Sequence, residues 1–272
     1  MKPAVANSYL SAMITSLPLE FTPALREIAA LGFAYIDLVG AAERPDAERE
    51  ALADSGLLVS CVAIGRGLGD GHSLDARSIE TRRLTVSTMK NQIADAAALG
   101  ASHCYLVPGM DASIAGLARF ADSCRHLADF AGQRMVRLCV EHSPGRALAT
   151  IGATLDWLEQ VDLPNVFALL DIGHCLLSGE DPANAVIQAG KLLGYIQLDD
   201  NDGLGDVHWP LLTGRLTEMI LARMLDAFPA AAYSGPLALE LNPANPEPKA
   251  ALGEGKRLME RLLEAHLGRE GD

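Results

Sequence analysis

Short apolar runs alternate with amphipathic stretches along the whole chain. Continuous apolar runs are typical of strands that are covered on both faces, whereas an apolar stripe at helical spacing indicates a surface helix. The runs predict eight strands, at Ala4–Ser8, Tyr35–Val39, Leu58–Ile64, His103–Val107, Arg137–Glu141, Phe167–Asp171, Tyr195–Leu198 and Leu237–Leu241. The stretches between them predict eight helices, at 22–31, 45–55, 76–99, 113–132, 148–160, 182–192, 215–228 and 248–267.

Proline and glycine mark several of the predicted helix ends. The pairs Thr22-Pro23 and Asp181-Pro182 place a proline at the first helical position behind a capping side chain. Glycine, which favours the left-handed conformation after a helix, separates four predicted helices from the next strand, at Gly32, Gly56, Gly100 and Gly194.

The alternation predicts one (β/α)8 barrel, an α/β TIM barrel in which residues 1–272 form a single domain. Eight strand–helix units in 272 residues give about 34 residues per unit. The alternative is a doubly wound open sheet, which predicts a glycine-rich phosphate-binding turn after the first strand. The segment NSYLSAMIT (7–15) contains no such turn. In a barrel, catalytic side chains lie where the strands end.

Charge and cysteine content narrow the classes of partner. The chain carries 22 basic and 35 acidic residues, a net charge of −13, so nucleic acid and anionic membranes are not expected partners. The five cysteines are an odd number without a C-x-x-C pair, which favours a reducing compartment. Polar residues interrupt the N-terminal apolar stretch, and no run approaches the roughly 20 apolar residues of a membrane span. We therefore expect a cytoplasmic protein.

Four late strands end in side chains that bind cations. Glu141 ends LCVE, Asp171 ends ALLD, Gln197 lies in YIQL, and Glu240 follows LAL. A buried carboxylate without a partner costs several kcal/mol, so carboxylates that converge at one barrel mouth require a positive charge. Three carboxylates and an amide oxygen are donors that suit Mg²⁺ or Mn²⁺. The sequence thus predicts a divalent metal site at the ends of these strands.

The segment QLDDNDGLGDVH (197–208) holds a second group of acidic residues. Residues 199–202 begin a loop with turn chemistry and are expected to be mostly solvated. Asp206 and His208 point the same way if the stretch is extended, and with His174 they form a candidate second metal or substrate site. The alternative, which the residues favour slightly, is that His208 and Asp206 hydrogen-bond each other and position substrate.

The ordered set Glu141, Asp171-Ile-Gly-His174, Gln197, Asp206-Val-His208 and Glu240 resembles the xylose-isomerase-like barrel superfamily over nearly the whole chain. This superfamily includes sugar and sugar-phosphate isomerases and epimerases, inosose and 3-dehydroshikimate dehydratases, and metal-dependent apurinic endonucleases. The resemblance implies that Glu141, Asp171, Gln197 and Glu240 bind one divalent ion, Mn²⁺ or Mg²⁺ before Zn²⁺ or Co²⁺. It also implies that Glu141 and Glu240 act as the acid/base pair, with His174 on a substrate oxygen.

Two further positions are candidate substrate contacts. Asp37 ends the predicted second strand, where related enzymes often place an acidic contact. Arg66 lies in the glycine-rich loop IGRGLGDGHS (64–73) and is able to bind a phosphate or carboxylate. A flexible surface loop explains the same glycines equally well.

Two departures from the common pattern bear on the reaction. Most isomerases and epimerases have histidine where this chain has Gln197, and the glutamine resembles the 3-dehydroshikimate dehydratase branch, as does LSGEDP (177–182). The loop DNDGLGDVHWP (200–210) instead resembles the isomerase and endonuclease branches. The segments AIGRG and LVPG lack the extra histidines of the endonucleases, so a trinuclear centre is not expected.

The resemblance therefore implies a small polyhydroxylated substrate and proton removal beside a carbonyl group. An isomerase or epimerase of a sugar or sugar phosphate is the first expectation, and a dehydratase (lyase) is the second. A non-catalytic sugar-binding protein and an apurinic endonuclease are less favoured. A homo-oligomer is compatible with the sequence.

Overall fold

The computed structural model describes residues 8–69 and 71–270, and it confirms the TIM barrel. Eight parallel strands close into one barrel in sequence order, and β1 pairs with β8 to complete the ring. The strands are β1 (Tyr9–Met13), β2 (Tyr35–Val39), β3 (Leu58–Ala63), β4 (His103–Leu106), β5 (Arg137–Glu141), β6 (Val166–Asp171), β7 (Leu193–Leu198) and β8 (Pro236–Leu239).

Helices cover the outside of the barrel and bury the outer face of the sheet. The α-helices in the described residues are α1 (Phe21–Ala30), α2 (Asp46–Ser55), α3 (Ile79–Ala98), α4 (Ile114–Gly132), α5 (Ile151–Val161), α6 (Ile172–Ser178), α7 (Pro182–Ala189), α8 (Glu218–Ala231) and α9 (Pro248–Glu270). Side-chain caps start many of them, and the Asp181 carboxylate accepts a hydrogen bond from the backbone N–H of Asn184. The expected Thr22 cap is wrong, because α1 begins one residue earlier and Glu20 occupies its cap position.

The first strand lies later in the chain than predicted. Residues 4–7 of the predicted strand Ala4–Ser8 lie outside the described residues, and Tyr9–Met13 is the segment that pairs with β2 and β8. Ser11 interrupts the apolar run of this strand. Its polar side chain is nevertheless fully buried, because it donates a hydrogen bond to Asp37. A buried polar pair inside a barrel leaves no apolar signal in the sequence.

The short helix α6 directly after β6 was not predicted. The side chain of Asp171, the last residue of β6, caps it by accepting a 2.9 Å hydrogen bond from the backbone N–H of His174. This helix turns His174 back over the barrel mouth.

All five cysteines are buried free thiols, and at these positions they pack as small apolar residues. Within residues 8–69 and 71–270, no helix combines the length and the apolar character needed to cross a bilayer.

Candidate metal centre and active site

The carboxyl ends of β5 to β8 bring the four predicted ligands to one half of the barrel mouth. Glu141 and Asp171 end β5 and β6, Gln197 lies in β7, and Glu240 follows β8 directly. None of the four is more than 5% exposed. Because neighbouring parallel strands are in register, Asp171 pairs with Gln197 across the sheet. The topology therefore places these polar groups side by side in a site largely removed from water.

Glu141, Asp171 and His174 form a compact buried cluster at this mouth. His174 Nδ1 lies 3.6 Å from Glu141 Oε1 and 3.8 Å from Asp171 Oδ2. One ligand atom from each residue falls within 4.8 Å of the others, a spacing able to hold a metal ion. Glu141 Oε2 and Asp171 Oδ2 are buried and accept no hydrogen bond from the described residues. Buried carboxylate oxygens without donors are costly, so this cluster fits a cation.

Burial and like charges act together on Glu141. Burial, opposed by the His174 ring and reinforced by the Glu240 and Asp171 carboxylates, raises the pKa of Glu141 to about 8. An ionised Glu141 at this position is therefore costly, and a further positive charge beside it lowers that cost.

Glu240 and Gln197 form a second group in which an arginine supplies the positive charge. Arg66 Nη2 donates a 2.8 Å hydrogen bond to Glu240 Oε1, and the amide of Gln197 donates to Glu240 Oε2. The Tyr105 hydroxyl lies 3.5 Å from the same Oε2 atom. Gln197 Oε1 remains buried without a donor. The four predicted ligands thus share one mouth but divide into two pairs, with Arg66 on one of them.

His174 connects the cluster to the loop after β7. Its Nδ1 atom lies 2.7 Å from the His142 carbonyl oxygen, and its Nε2 atom lies 3.1 Å from Asp206 Oδ2. Burial alone would lower the pKa of His174, but the carboxylates of Asp171, Asp206 and Glu141 outweigh burial and raise it to about 11. His174 is therefore held in place and charged by acids on three sides.

His208 completes the second candidate set. Its Nδ1 lies 2.6 Å from Asp199 Oδ2, and its Nε2 lies 3.2 Å from Asp206 Oδ1. These carboxylates overcome burial and raise the pKa of His208 to about 12, while the two histidines hold the pKa of Asp206 well below its usual range. His174, Asp206 and His208 have ligand atoms within 4.8 Å of one another. Asp206 and His208 are thus in contact with each other, and the same spacing is also compatible with a metal triad.

The expectation that residues 199–202 are mostly solvated is wrong for the first three. Asp199, Asp200 and Asn201 are at most 1% exposed, because the loop folds back over β7 and Asp200 pairs with Trp209. Asp199 accepts the Gly173 N–H at 2.9 Å, and Asn201 donates to the Gly173 carbonyl at 2.6 Å. Turn-forming residues are visible in the sequence of this loop, but its return over β7 is not.

Asp37 sits in a separate buried network. Ser11 Oγ donates to Asp37 Oδ1 at 2.6 Å, and the Tyr195 hydroxyl lies 2.8 Å from both carboxylate oxygens. Burial raises the pKa of Asp37 to about 7 despite these donors. Its carboxylate is fully buried and does not line the cavity at the barrel mouth, so the geometry gives the expected substrate contact no support.

A cavity of about 370 Å³ opens over the Glu141–His174 side of the mouth. The loops after β3, β4 and β5 form its walls, and Glu141, His174, Asp206 and His208 reach it from the metal-site side. Arg66, the other expected substrate contact, also lines it. A pocket of this size suits a small molecule.

Residues 25–262 match the family described as "Xylose isomerase-like TIM barrel". The chain belongs to this family. It is 24% identical to the D-psicose 3-epimerase of Agrobacterium fabrum (strain C58 / ATCC 33970) over 212 residues, which cover 70% of this chain and 72% of the relative.

Solved structures of similar fold include proteins named as sugar epimerases. A D-psicose 3-epimerase crystallised in the presence of D-fructose has a TM-score of 0.78 at 18% identity, with 94% of this chain and 99% of that chain covered. A D-tagatose 3-epimerase-like protein has a TM-score of 0.80 at 17% identity, with coverage of 97% and 100%. At these identities the structural matches establish the fold.

Proposed function

We propose that the protein is a divalent-metal-dependent epimerase or isomerase of a small polyhydroxylated ketone. The observation that carries the proposal is a pair of buried glutamates at one barrel mouth, Glu141 and Glu240, of which Glu141 lines a cavity for a small molecule. The similarity to the Agrobacterium D-psicose 3-epimerase supports the same class of reaction.

The donor atoms fit a hard divalent cation. Three carboxylates and one amide converge, and three of their oxygens (Glu141 Oε2, Asp171 Oδ2 and Gln197 Oε1) are buried without a hydrogen-bond donor. Oxygen donors of this kind prefer Mn²⁺ or Mg²⁺ to softer metals. We assign Glu141, Asp171, Gln197 and Glu240 as the residues that would hold it. When bound, the cation supplies Lewis-acid stabilisation for negative charge on the substrate carbonyl oxygen.

The two glutamates perform the proton transfers in this proposal. One carboxylate takes the proton from the carbon beside the carbonyl, and the C–H electron pair forms the carbon–carbon double bond of an enediolate. The second glutamate delivers a proton to the opposite face of the same carbon, which gives the epimer. Delivery to the former carbonyl carbon gives the isomer. Glu141 ends β5 and Glu240 follows β8, so β6 and β7 lie between them around the ring, and the proposal places the substrate between the two carboxylates.

His174 and the loop after β7 position the substrate. His174 lines the cavity, and its Nε2 atom is directed to Asp206 at the cavity wall. When a substrate oxygen takes the place of Asp206 at this atom, the charged imidazole donates a hydrogen bond to it. Asp199 and Asp206 fix His208 beside it.

A dehydratase is the second candidate, and Gln197 is the observation that favours it. In that reaction the same proton removal expels a β-hydroxyl group instead of returning a proton. The Gln197 amide donates to Glu240, which leaves that glutamate hydrogen-bonded on both oxygens.

The deciding experiment is exchange of substrate carbon protons in heavy water by Mn²⁺-loaded protein, followed by NMR. The panel contains D-fructose, D-psicose, D-tagatose, their phosphates and 3-dehydroshikimate. Exchange with formation of an epimer or isomer supports the first proposal. A new ultraviolet-absorbing product from 3-dehydroshikimate would replace it with the dehydratase. Absence of exchange from every compound, with metal content confirmed by elemental analysis, contradicts both.

A further inference from the structure

The cavity beside the metal-site candidates carries two arginines. Arg66 follows β3 and Arg146 lies in the loop after β5, and both line the same cavity. The chain as a whole carries a net charge of −13, so its general field repels anions and these two arginines supply local positive charge. An uncharged sugar gives an arginine no charge to bind, whereas a carboxylate or phosphate matches the guanidinium fork.

Backbone hydrogen bonds hold the loop at Arg146, while its side chain has no partner among the described residues. Its backbone N–H donates to the Ser143 carbonyl at 3.0 Å, and the next residue, Ala147, donates to the Gly109 carbonyl at 2.9 Å. Its side chain is exposed at the cavity rim, and its guanidinium forms no hydrogen bond or ion pair with the described residues. The loop thus holds a free positive charge at the cavity wall, on the strand connection that follows Glu141.

Arg66 also retains free donors. Only its Nη2 atom binds Glu240, and its guanidinium stands over the Tyr105 ring at 5.6 Å from the centroid. The backbone before it is held because the Gly65 N–H donates to Gln92 Oε1 at 2.8 Å. The remaining N–H groups of Arg66 make no hydrogen bond within the described part of the chain.

We infer that the substrate carries an anionic group, a carboxylate or a phosphate, which Arg146 and the free donors of Arg66 bind while the carbonyl end faces Glu141. This inference rests on the proposed function for the orientation of the substrate. In both cases the ligand is a polyhydroxylated ketone with one anionic end, and the experiments below distinguish a carboxylate from a phosphate.

The kinetic test compares D-fructose with D-fructose 6-phosphate and 5-keto-D-gluconate on the Mn²⁺-loaded full chain. We expect kcat/KM for at least one anionic compound to exceed that for D-fructose by about tenfold or more. Arg146→Gln should lower this ratio by about tenfold, and Arg146→Lys should lower it less. The control Arg125→Gln makes the same charge change on the outside of α4 and should leave the ratio unchanged. A wild-type preference for D-fructose, or a ratio insensitive to Arg146→Gln, overturns the inference.

A binding test separates this inference from the proposed reaction. D-Gluconate, D-glucitol 6-phosphate and D-glucitol contain no ketone, so the proposed proton transfer cannot act on them. Calorimetry measures their affinities directly. Tighter binding of an anionic compound that is lost in Arg146→Gln supports the inference even if no ketone exchanges a proton, a result that would refute the proposed function alone. Equal binding of all three by the wild type refutes the anion site alone if ketone exchange persists.

Discussion

Two groups of buried carboxylates lie in the same barrel, and their surroundings differ. Asp37 receives donors from Ser11 and Tyr195, whereas Glu141 and Asp171 keep oxygens with no donor. Both groups are almost completely shielded from water, so burial does not distinguish them. The difference teaches that a satisfied buried acid stabilises one conformation, while an unsatisfied cluster is suited to a ligand.

The largest expected effect is on catalysis by the unsatisfied group. Glu141→Gln keeps the shape of the side chain but removes the base, so we expect exchange in heavy water to fall about a thousandfold. The variant should retain the circular dichroism of the wild type. The exposed Glu254→Gln on α9 is the control and should exchange at the wild-type rate. Comparable activity of Glu141→Gln would remove Glu141 from the mechanism.

Asp37, whose carboxylate receives hydrogen bonds from Ser11 and Tyr195, should instead make the stability depend on pH. Burial raises the pKa of Asp37 from 3.8 to about 7, so the folded protein holds this proton more tightly than the unfolded chain does. Its contribution to stability is full below pH 3.8 and is lost as the pH rises through about 7. Asp37→Asn has no proton to lose there. Between pH 4 and 8, its unfolding free energy should therefore improve relative to wild type by on the order of 4 kcal/mol.

Denaturant unfolding at several pH values measures this difference. Asp54→Asn changes an exposed aspartate on α2 and serves as the matched control. If wild type and Asp37→Asn lose stability in parallel across this range, the assignment of the pH dependence to Asp37 is wrong.

Mn²⁺ should stabilise the folded protein by binding to Glu141 and Asp171, each of which has a buried oxygen that lacks a hydrogen-bond donor among the described residues. A ligand that binds the folded state at 100 times its Kd adds about 2.7 kcal/mol to the unfolding free energy. We expect such a gain when Mn²⁺ is added to chelator-treated wild type, a much smaller gain in Glu141→Gln, and the wild-type gain in Asp37→Asn. Thermal unfolding with and without Mn²⁺ measures all three. Equal gains in wild type and Glu141→Gln would place the ion elsewhere.

The smallest expected effect is on the unfolding free energy, when Asp37 loses one of its hydrogen-bond donors. Tyr195→Phe removes the hydroxyl that bonds Asp37 and lies 2.8 Å from Ser60 Oγ, which should cost about 1–3 kcal/mol of unfolding free energy. Tyr35→Phe is the control, because that ring stacks on Tyr9 at the barrel end. Urea unfolding of the two variants compares them. A cost no greater in Tyr195→Phe than in Tyr35→Phe would show that the network contributes little.

The sequence alone determined the barrel and the four polar side chains at the ends of the late strands. Apolar runs report burial on both faces, and a charged or amide group at the end of such a run is visible in one dimension. The apolar pattern did not predict β1, because the polar residue Ser11 interrupts the run although it is buried. It also did not predict α6, because the cap of this helix, Asp171, is at the same time the last residue of a strand.

Only the tertiary structure decided which of these groups contact one another. Arg66 lies 174 residues before Glu240 in sequence yet donates to it, and Asp199 is buried because a loop returns over β7. Arg146 lines the same cavity as Arg66 because β3, β4 and β5 are neighbouring parallel strands whose ends lie at one mouth. Periodicity reports local burial, whereas pairing of charges from distant strands depends on register, loop paths and closure, which no local pattern encodes.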